Sequence, residues 1–397
     1  RVGGESAGRA VAAGADHLQR PLDLNLGGDV GDVFLAEVLD AQQLAAFARQ
    51  RITPDDGMGE YLFATAVESN LIDCAIAWQL TRDRAYAEKI RLFLQRLSDP
   101  VRGYPDTLRA CSQGVVQEGH FFKHLLQAYD AILDAGVVTP ADRARLEVTL
   151  RLYLRTTDFE VGTGNVSNWT LSQLSGALFA SLLLGDWERA ERFYRGPTGV
   201  LDQFGQGVMD DGWWYECAIS YNSWMAALGT EIGLAVEPWG EELRTMRIPN
   251  GYAPNFGLMP WQARDGLYGM SFQKWGPLTR NHVRLTDLWD SFLPFLDWRG
   301  VIFGANDSDE KKISGNRYEL AYYVYRDPRY AAMIRYSDER DLLWGVPELP
   351  ADDPGLYRGS AASDNAGIVV LRSQTPDRPQ RERLQAVLKY GSHGGFH

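Results

Sequence analysis

The stretch Trp169-Thr-Leu-Ser-Gln-Leu-Ser-Gly-Ala-Leu-Phe-Ala-Ser-Leu-Leu-Leu184 carries no charge. Its apolar residues leave no consistently polar face, which is the composition of a helix buried all round. The stretch Arg84-Ala-Tyr-Ala-Glu-Lys-Ile-Arg-Leu-Phe-Leu-Gln-Arg-Leu97 reads differently. Its apolar residues recur at three- and four-residue spacing between charged ones, so one face is buried and the other meets water. A chain that alternates these two kinds of helix has what concentric inner and outer helix layers require. The same spacing predicts further helices over 35–51, 61–80, 121–135, 140–154, 186–194, 215–235, 284–295, 318–325 and 328–335. Turn chemistry separates them at Pro54-Asp-Asp-Gly57, Gly136, Pro140, Gly185, Gly196-Pro197 and Gly212.

No motif repeats at a fixed period, which argues against a solenoid. The expected fold class is therefore mainly α, an (α/α) toroid of antiparallel helical hairpins. The pattern changes after residue 355. Two apolar, β-branched runs over 365–372 and 384–390 flank a polar loop and read as strands. Two strands alone are marginal, so they are expected to open an antiparallel β-sandwich domain that is incomplete in this chain. The expected division is a catalytic toroid over 1–355 and the first strands of a sandwich over 356–397.

The 397 residues include 45% hydrophobic and 23% charged side chains, the balance of a globular protein with a full core. A formal net charge of -12 argues against a nucleic-acid partner. It also repels an anionic polymer at long range, so such a substrate would require a locally basic cleft. Aromatics reach 12%, and the Trp and Tyr among them suit a sugar-stacking groove and a large helical core equally well. Cys74, Cys111 and Cys217 form neither a disulfide framework nor a metal-ligand spacing. No apolar run reaches the length of a membrane span, and the chain starts at Arg1 without a signal peptide.

Three separated motifs carry chemistry: Ser167-Asn168-Trp169, then Asp211-Gly212 running on to Tyr221, then Gly391-Ser-His393-Gly-Gly-Phe-His397. An amide, a phenol and an imidazole are sufficient to eliminate across a uronic acid. The proton to be removed lies beside a carboxylate, so donors must be aimed where charge develops. Asn168 supplies an uncharged amide at a helix start, where the backbone also favours anions. The same position suits an ordinary helix cap. A phenol titrates near ~10 unless a neighbouring positive charge assists it. A glycine-rich segment lets the backbone bring an imidazole close to a ligand.

In order and local wording these motifs resemble the heparinase II/III-like polysaccharide lyases. The resemblance spans most of residues 60–397 but rests on about thirty motif positions. It implies a helical toroid followed by a β-sandwich, with Asn168, Tyr221 and His397 catalytic. Substrate contacts are expected at Gln117, His120, Trp169, Trp214, Arg280 and His393. The resemblance also implies an acidic polysaccharide partner and a secreted or periplasmic location. No cofactor is needed for this chemistry, and a structural divalent metal would belong to the missing part of the β-domain. Two departures leave the subfamily open and shift the imidazole role onto His397 or His120: Trp169 stands where some relatives carry His, and Glu216 lies where another lyase family carries a His before its Tyr. Two rival readings stand beside this one. An inverting glycoside hydrolase would draw its carboxylates from Asp210, Asp211, Glu216 and Glu118, and a non-catalytic carbohydrate-binding protein would use its tryptophans.

Overall fold

Asp83 accepts a hydrogen bond from the Ala85 amide at 2.9 Å and so caps the helix that follows. That helix then buries Ala87, Ile90, Leu94 and Leu97 on one side, the face its periodicity indicates. The computed structural model describes residues 57–104, 114–162, 164–250, 277–306, 308–312, 315–337, 340–356, 359–373, 379, 382 and 384–391. Among these the helices are α1 (Gly57–Thr81), α2 (Arg84–Leu97), α3 (Gly114–Ala131), α4 (Pro140–Gly162), α5 (Asn168–Leu184), α6 (Trp187–Arg195), α7 (Val200–Gly207), α8 (Ile219–Val236), α9 (Leu285–Asp290), α10 (Gly315–Tyr325) and α11 (Pro328–Ile334). The expected helix over 35–51 lies outside the described residues.

Two compact units emerge, and the connection Thr163–Asn168 belongs with the second. In the first unit, Arg1–Gly162 with Trp169–Gly199, α1 packs on α2 and α3, and α2 packs on α4. The Phe122 and Tyr153 rings stack 3.9 Å apart at 13°. The Tyr153 hydroxyl donates to the Gln173 carbonyl at 2.7 Å, which leaves that buried phenol satisfied. Helices α3 and α5 touch through glycine. A Cβ on Gly119 would run into the Ser172 backbone, and one on Gly176 would meet the Tyr153 hydroxyl. Throughout α5 the buried side chains cover Leu171, Leu174, Ala177, Leu178 and Ala180, as its uncharged composition demands.

In the second unit, α8 packs on α9 and α10, and α10 on α11. Trp213, Trp214, Trp289, Tyr318 and Tyr330 are wholly buried there, so much of the aromatic excess is core. Among the described residues there are also three single-turn 3-10 helices and seven short strands: β1 (Ile248–Pro249), β2 (His282–Val283), β3 (Val301–Ile302), β4 (Lys311–Lys312), β5 (Ala361–Ser363), β6 (Ile368–Arg372) and β7 (Gln385–Lys389). They pair antiparallel as β1-β2, β3-β4 and β5-β6-β7. In the last sheet Ser363 faces Ile368, and Ile368 faces Lys389. Ile368 and Val370 point into the core, whereas Leu388 of β7 is exposed.

The fold class is the expected one, mainly helical with antiparallel sheet toward the end of the chain. Several boundaries differ for physical reasons. The helix expected over 215–235 begins at Ile219, because the residues before it form an antiparallel bridge between Val208 and Trp214. The helix expected over 284–295 ends at Asp290, and Pro294 follows in a single tight turn. Helix α7 was not expected, since Gly199, Gly205 and Gly207 mask a short helical pattern. Strand β5 was missed for lack of length and of large apolar residues.

Candidate active site

Asn168 is the first residue of α5 and is 1% exposed. Neither its amide nitrogen nor its amide oxygen meets a hydrogen-bond partner among the described residues. The cap explanation therefore does not account for it, because a capping amide would accept from a backbone N–H of the first turn. A buried, unsatisfied amide costs about 1–3 kcal/mol and calls for a reason other than stability.

The segment before Asn168 is held from within its own unit. The Gln203 side chain donates to the Asn165 carbonyl at 2.9 Å and accepts from the Ser167 amide at 3.1 Å. The Tyr215 hydroxyl donates to the Val166 carbonyl at 2.9 Å. Tyr215 lies in the turn that leads to Tyr221, so a single phenol joins the segments that carry the expected amide and the expected phenol.

Tyr221 occupies the first turn of α8, half-buried, with its ring 6.5 Å from that of Trp224. The start of α8 is tightly fixed. Cys217 adopts φ +53, a left-handed conformation unusual for a residue with a side chain. Asn306 donates to the Glu216 and Cys217 carbonyls on either side of that turn. The Ser308 hydroxyl accepts from the Ser220 amide at 3.1 Å, doing for α8 what a cap residue does. Asn222, wholly buried, accepts from the Trp214 amide at 2.7 Å and donates to Leu288 O and Ser291 Oγ at 3.0 Å each. The Arg317 guanidinium donates to Ser220 O and Ser223 Oγ, bringing a permanent positive charge to the turn that carries Tyr221. Sequence reading passed over Arg317 and weighed Asn306-Asp-Ser-Asp309 only as a loop whose oxygens lack the full calcium-loop spacing; Ser308 reaches Ser220 from 88 residues away and Arg317 from 97.

The Asp-Gly motif has a structural explanation. Asp211 Oδ2 accepts from the Ser363 hydroxyl and from the Asn365 and Ala366 amides, the last two at 2.9 Å. Its Oδ1 accepts from the Trp213 amide at 3.2 Å. Gly212 has φ +84, and a Cβ there would collide with the Asp287 carbonyl. Asp210 Oδ2 accepts from the Thr279 and Arg280 amides and from the Thr279 hydroxyl. Together with Arg280, Asp287 and Asp290, these aspartates line a cavity of about 460 Å³ within the second unit.

Two of the expected sugar contacts have partners within the fold. Trp214 is wholly buried, and its indole N–H donates to Glu216 Oε2 at 2.6 Å. Its N–H and its ring are thus both taken up within the fold, the ring against Gly207. Arg280 donates to the Asp210 carbonyl at 3.0 Å and to Asp287 Oδ2 at 2.6 Å. Its guanidinium thus braces the turn from within. Trp169 is 39% exposed and belongs to the first unit. Gln117 falls in α3, with its side chain outside the described residues; His393 and His397 also lie outside them.

In the first unit Glu118 accepts from the Gln173 amide at 3.4 Å, and burial raises its pKa against that bond. His120 and His124 both approach Glu68. Burial opposes ionisation of Glu68, but the two imidazoles beside it outweigh that and bring the pKa down to about 2. Burial together with Lys123 lowers the pKa of His124. Among the described residues, this cluster has the composition of a metal site. His124 escaped the sequence reading, although the run His120-Phe-Phe-Lys-His124 places two imidazoles one helical turn apart.

Comparison of the whole fold with solved structures gives two informative likenesses. A heparinase III crystal structure aligns with a TM-score of 0.51 at 15% identity, covering 98% of this chain and 59% of that one. A heparinase III with methylated lysines aligns with a TM-score of 0.50 at 10% identity, covering 98% of this chain and 54% of that one. The fold is heparinase III-like. No family model and no curated protein sequence matches the chain. The chain spans a little over half the length of the heparinase III structures it matches. Among the described residues no helix is long and apolar enough to cross a membrane.

The carboxylates of the hydrolase alternative are mostly engaged within the fold. An inverting pair needs two carboxyl groups about 6.5–9.5 Å apart with a water between them. Asp210 and Asp211 are each committed to backbone amides and Glu216 is buried against an indole, which leaves Glu118, bonded by Gln173 in the first unit, without a second carboxylate from that set.

Proposed function

We propose that this chain belongs to a polysaccharide lyase that cleaves a uronic-acid-containing polymer by β-elimination. Asn168 hydrogen-bonds the uronate carboxylate and stabilises the charge that develops on it when the neighbouring proton leaves. Tyr221 and His397 divide the base and acid roles. The base takes H5, and the C–H electron pair forms the C4–C5 double bond. The bond from C4 to the glycosidic oxygen breaks, and the acid protonates that oxygen. The products are a 4,5-unsaturated uronide and a new chain end, with no water consumed. Where proton and leaving oxygen share a face, Tyr221 serves both steps; where they lie on opposite faces, His397 is the base and Tyr221 the acid.

The observation that carries this reading is the Asn168 amide, buried at the start of α5 without a hydrogen-bond partner among the described residues. The heparinase III-like fold and the Arg317 charge beside the turn bearing Tyr221 support it. That cation also meets in part the need for local positive charge in a chain of net charge -12. On this reading strands β5 to β7 belong to the expected β-sandwich, and an acidic polymer as substrate goes with a secreted or periplasmic protein.

The test is incubation with heparan-type chains, chondroitin, hyaluronan, alginate and ulvan, following the ultraviolet absorbance of the unsaturated product. Absorbance should rise with one polymer class and fall at least a hundredfold for Tyr221→Phe. New reducing ends without that absorbance would establish hydrolysis instead. Full turnover by a folded Tyr221→Phe protein would remove Tyr221 from the mechanism.

A further inference from the structure

Glu68 lies on α1, and His120 and His124 lie on α3, the helix packed against it. Residues four apart share a helix face, so both imidazoles can address one point on α1. His124 Nδ1 stands 3.4 Å from Glu68 Oε2, and His120 Nδ1 stands 3.6 Å from the same oxygen. The three ligand atoms lie within 4.8 Å of one another. The two rings meet edge to face at 86°, with centroids 5.4 Å apart, so neither covers the other's approach to the carboxylate.

These spacings identify the kind of occupant. An N–H···O hydrogen bond between imidazole and carboxylate would bring the heavy atoms to about 2.7–3.2 Å. Around a tetrahedral zinc ion with bonds of about 2.0–2.1 Å, neighbouring ligand atoms stand about 3.3–3.5 Å apart. An octahedral ion with bonds of about 2.1 Å would draw neighbouring ligands to about 3.0 Å. The two imidazole–carboxylate separations, 3.4 and 3.6 Å, lie nearer the tetrahedral spacing than the octahedral one, and two imidazoles with one carboxylate are donors that zinc accepts and calcium or magnesium does not favour. Glu68 Oε1 adds a second sign, for it is buried and has no hydrogen-bond partner among the described residues. The Glu68 side chain is 7% exposed, against 28% for His120 and 22% for His124, so an ion would enter past the imidazoles.

We propose that Glu68, His120 and His124 form a zinc site that ties α1 to α3, with three protein ligands and a fourth coordination position open. This assigns His120 to a metal rather than to a sugar. The site is independent of the lyase reading: it uses none of Asn168, Tyr221 and His397, and its test does not measure turnover.

The experiment uses the full, untagged chain after chelator dialysis, titrated with Co²⁺ alone and then with Zn²⁺. The expected result is one equivalent of cobalt with the intense visible bands of tetrahedral coordination, bleached stoichiometrically by zinc. Glu68→Gln and His124→Ala, each checked for native circular dichroism, should weaken cobalt binding at least a hundredfold. Zinc should raise the melting temperature of the parent chain and leave the folded variants unshifted. Should His124→Ala fail to fold, Glu68→Gln and the parent titration still decide the matter. A parent chain that shows only the weak bands of hydrated octahedral cobalt overturns the proposal. So does stoichiometric binding that survives in both folded variants, because the ion would then sit on other histidines.

Discussion

Replacing Asp211 with Asn separates a structural carboxylate from a catalytic one. The Asp211 carboxylate accepts four hydrogen bonds, three of them on Oδ2 from Ser363, Asn365 and Ala366 and one on Oδ1 from Trp213. Asparagine is nearly isosteric but has one acceptor oxygen where aspartate has two. If that oxygen faces the three donors, the new NH₂ group points at the Trp213 amide and one donor loses its acceptor. Hydrogen bonds to a charged group contribute about 1.5–3 kcal/mol, and neutral ones about 0.5–1.5. Three bonds each weakened by roughly 1 kcal/mol, plus about 1 kcal/mol for the orphaned amide, give a loss of about 4 kcal/mol. The assay is urea denaturation followed by tryptophan fluorescence, where a shift of the midpoint at constant slope reports stability. Native Asp211→Asn protein should keep measurable elimination activity below its new midpoint. A stability loss under 1 kcal/mol together with abolished turnover would refute the structural assignment and return Asp211 to the chemistry.

Three further outcomes are expected. Asn168→Leu should abolish elimination while leaving the urea midpoint unchanged or raised by about 1 kcal/mol, since it removes a buried amide without protein partners; a loss of 2 kcal/mol or more would show that the amide is a structural hydrogen-bonder. Burial holds the Asp130 carboxyl up to about 7, so the native state prefers its neutral form. Its favourable contribution is complete below the unfolded value of about 3.9 and is lost as pH rises toward 7, so Asp130→Asn should gain a few kcal/mol at pH 8 and almost nothing at pH 4; parallel stability curves for the two proteins would contradict this. Gly119→Ala should cost about 2 kcal/mol, because its Cβ would meet the Ser172 backbone, which has no rotamer to yield, and this outweighs the roughly 1 kcal/mol of helix propensity gained. Gly162→Ala, with open space around its Cβ, is the control and should be neutral or stabilising in the same denaturation assay.

What the sequence disclosed follows from the range over which each signal acts. Periodicity is local, so α2 appears with the expected ends and α5 within one residue of them. The start of α8 is not local. It is set by Asn222 reaching back to the Trp214 amide and by Ser308 closing on the Ser220 amide, the latter from 88 residues away. No window of sequence contains that information, and the expected helix accordingly started four residues early. The candidate site divides in the same way. Asn168 and Tyr221 were legible because each lies inside a worded motif, whereas Arg317 and the Glu68 partner of His120 were not, because each reaches its site from a different helix.

The same distinction bears on Trp214 and Arg280. Tryptophan and arginine are the side chains best suited to sugars and carboxylates, and composition marks them wherever they fall. Their value to a ligand depends on what the fold has already asked of them. Trp214 gives its N–H to Glu216 and its ring to the core beside Gly207, where a Cβ would collide with the indole. Arg280 gives its donors to Asp210 and Asp287. Asn168 is the opposite case: its amide is buried, and among the described residues the fold asks nothing of it. A group that the protein desolvates and then leaves unbonded is one whose partner comes from outside. For an amide at the start of a helix, the partner that the local backbone also favours is an anion such as a uronate carboxylate.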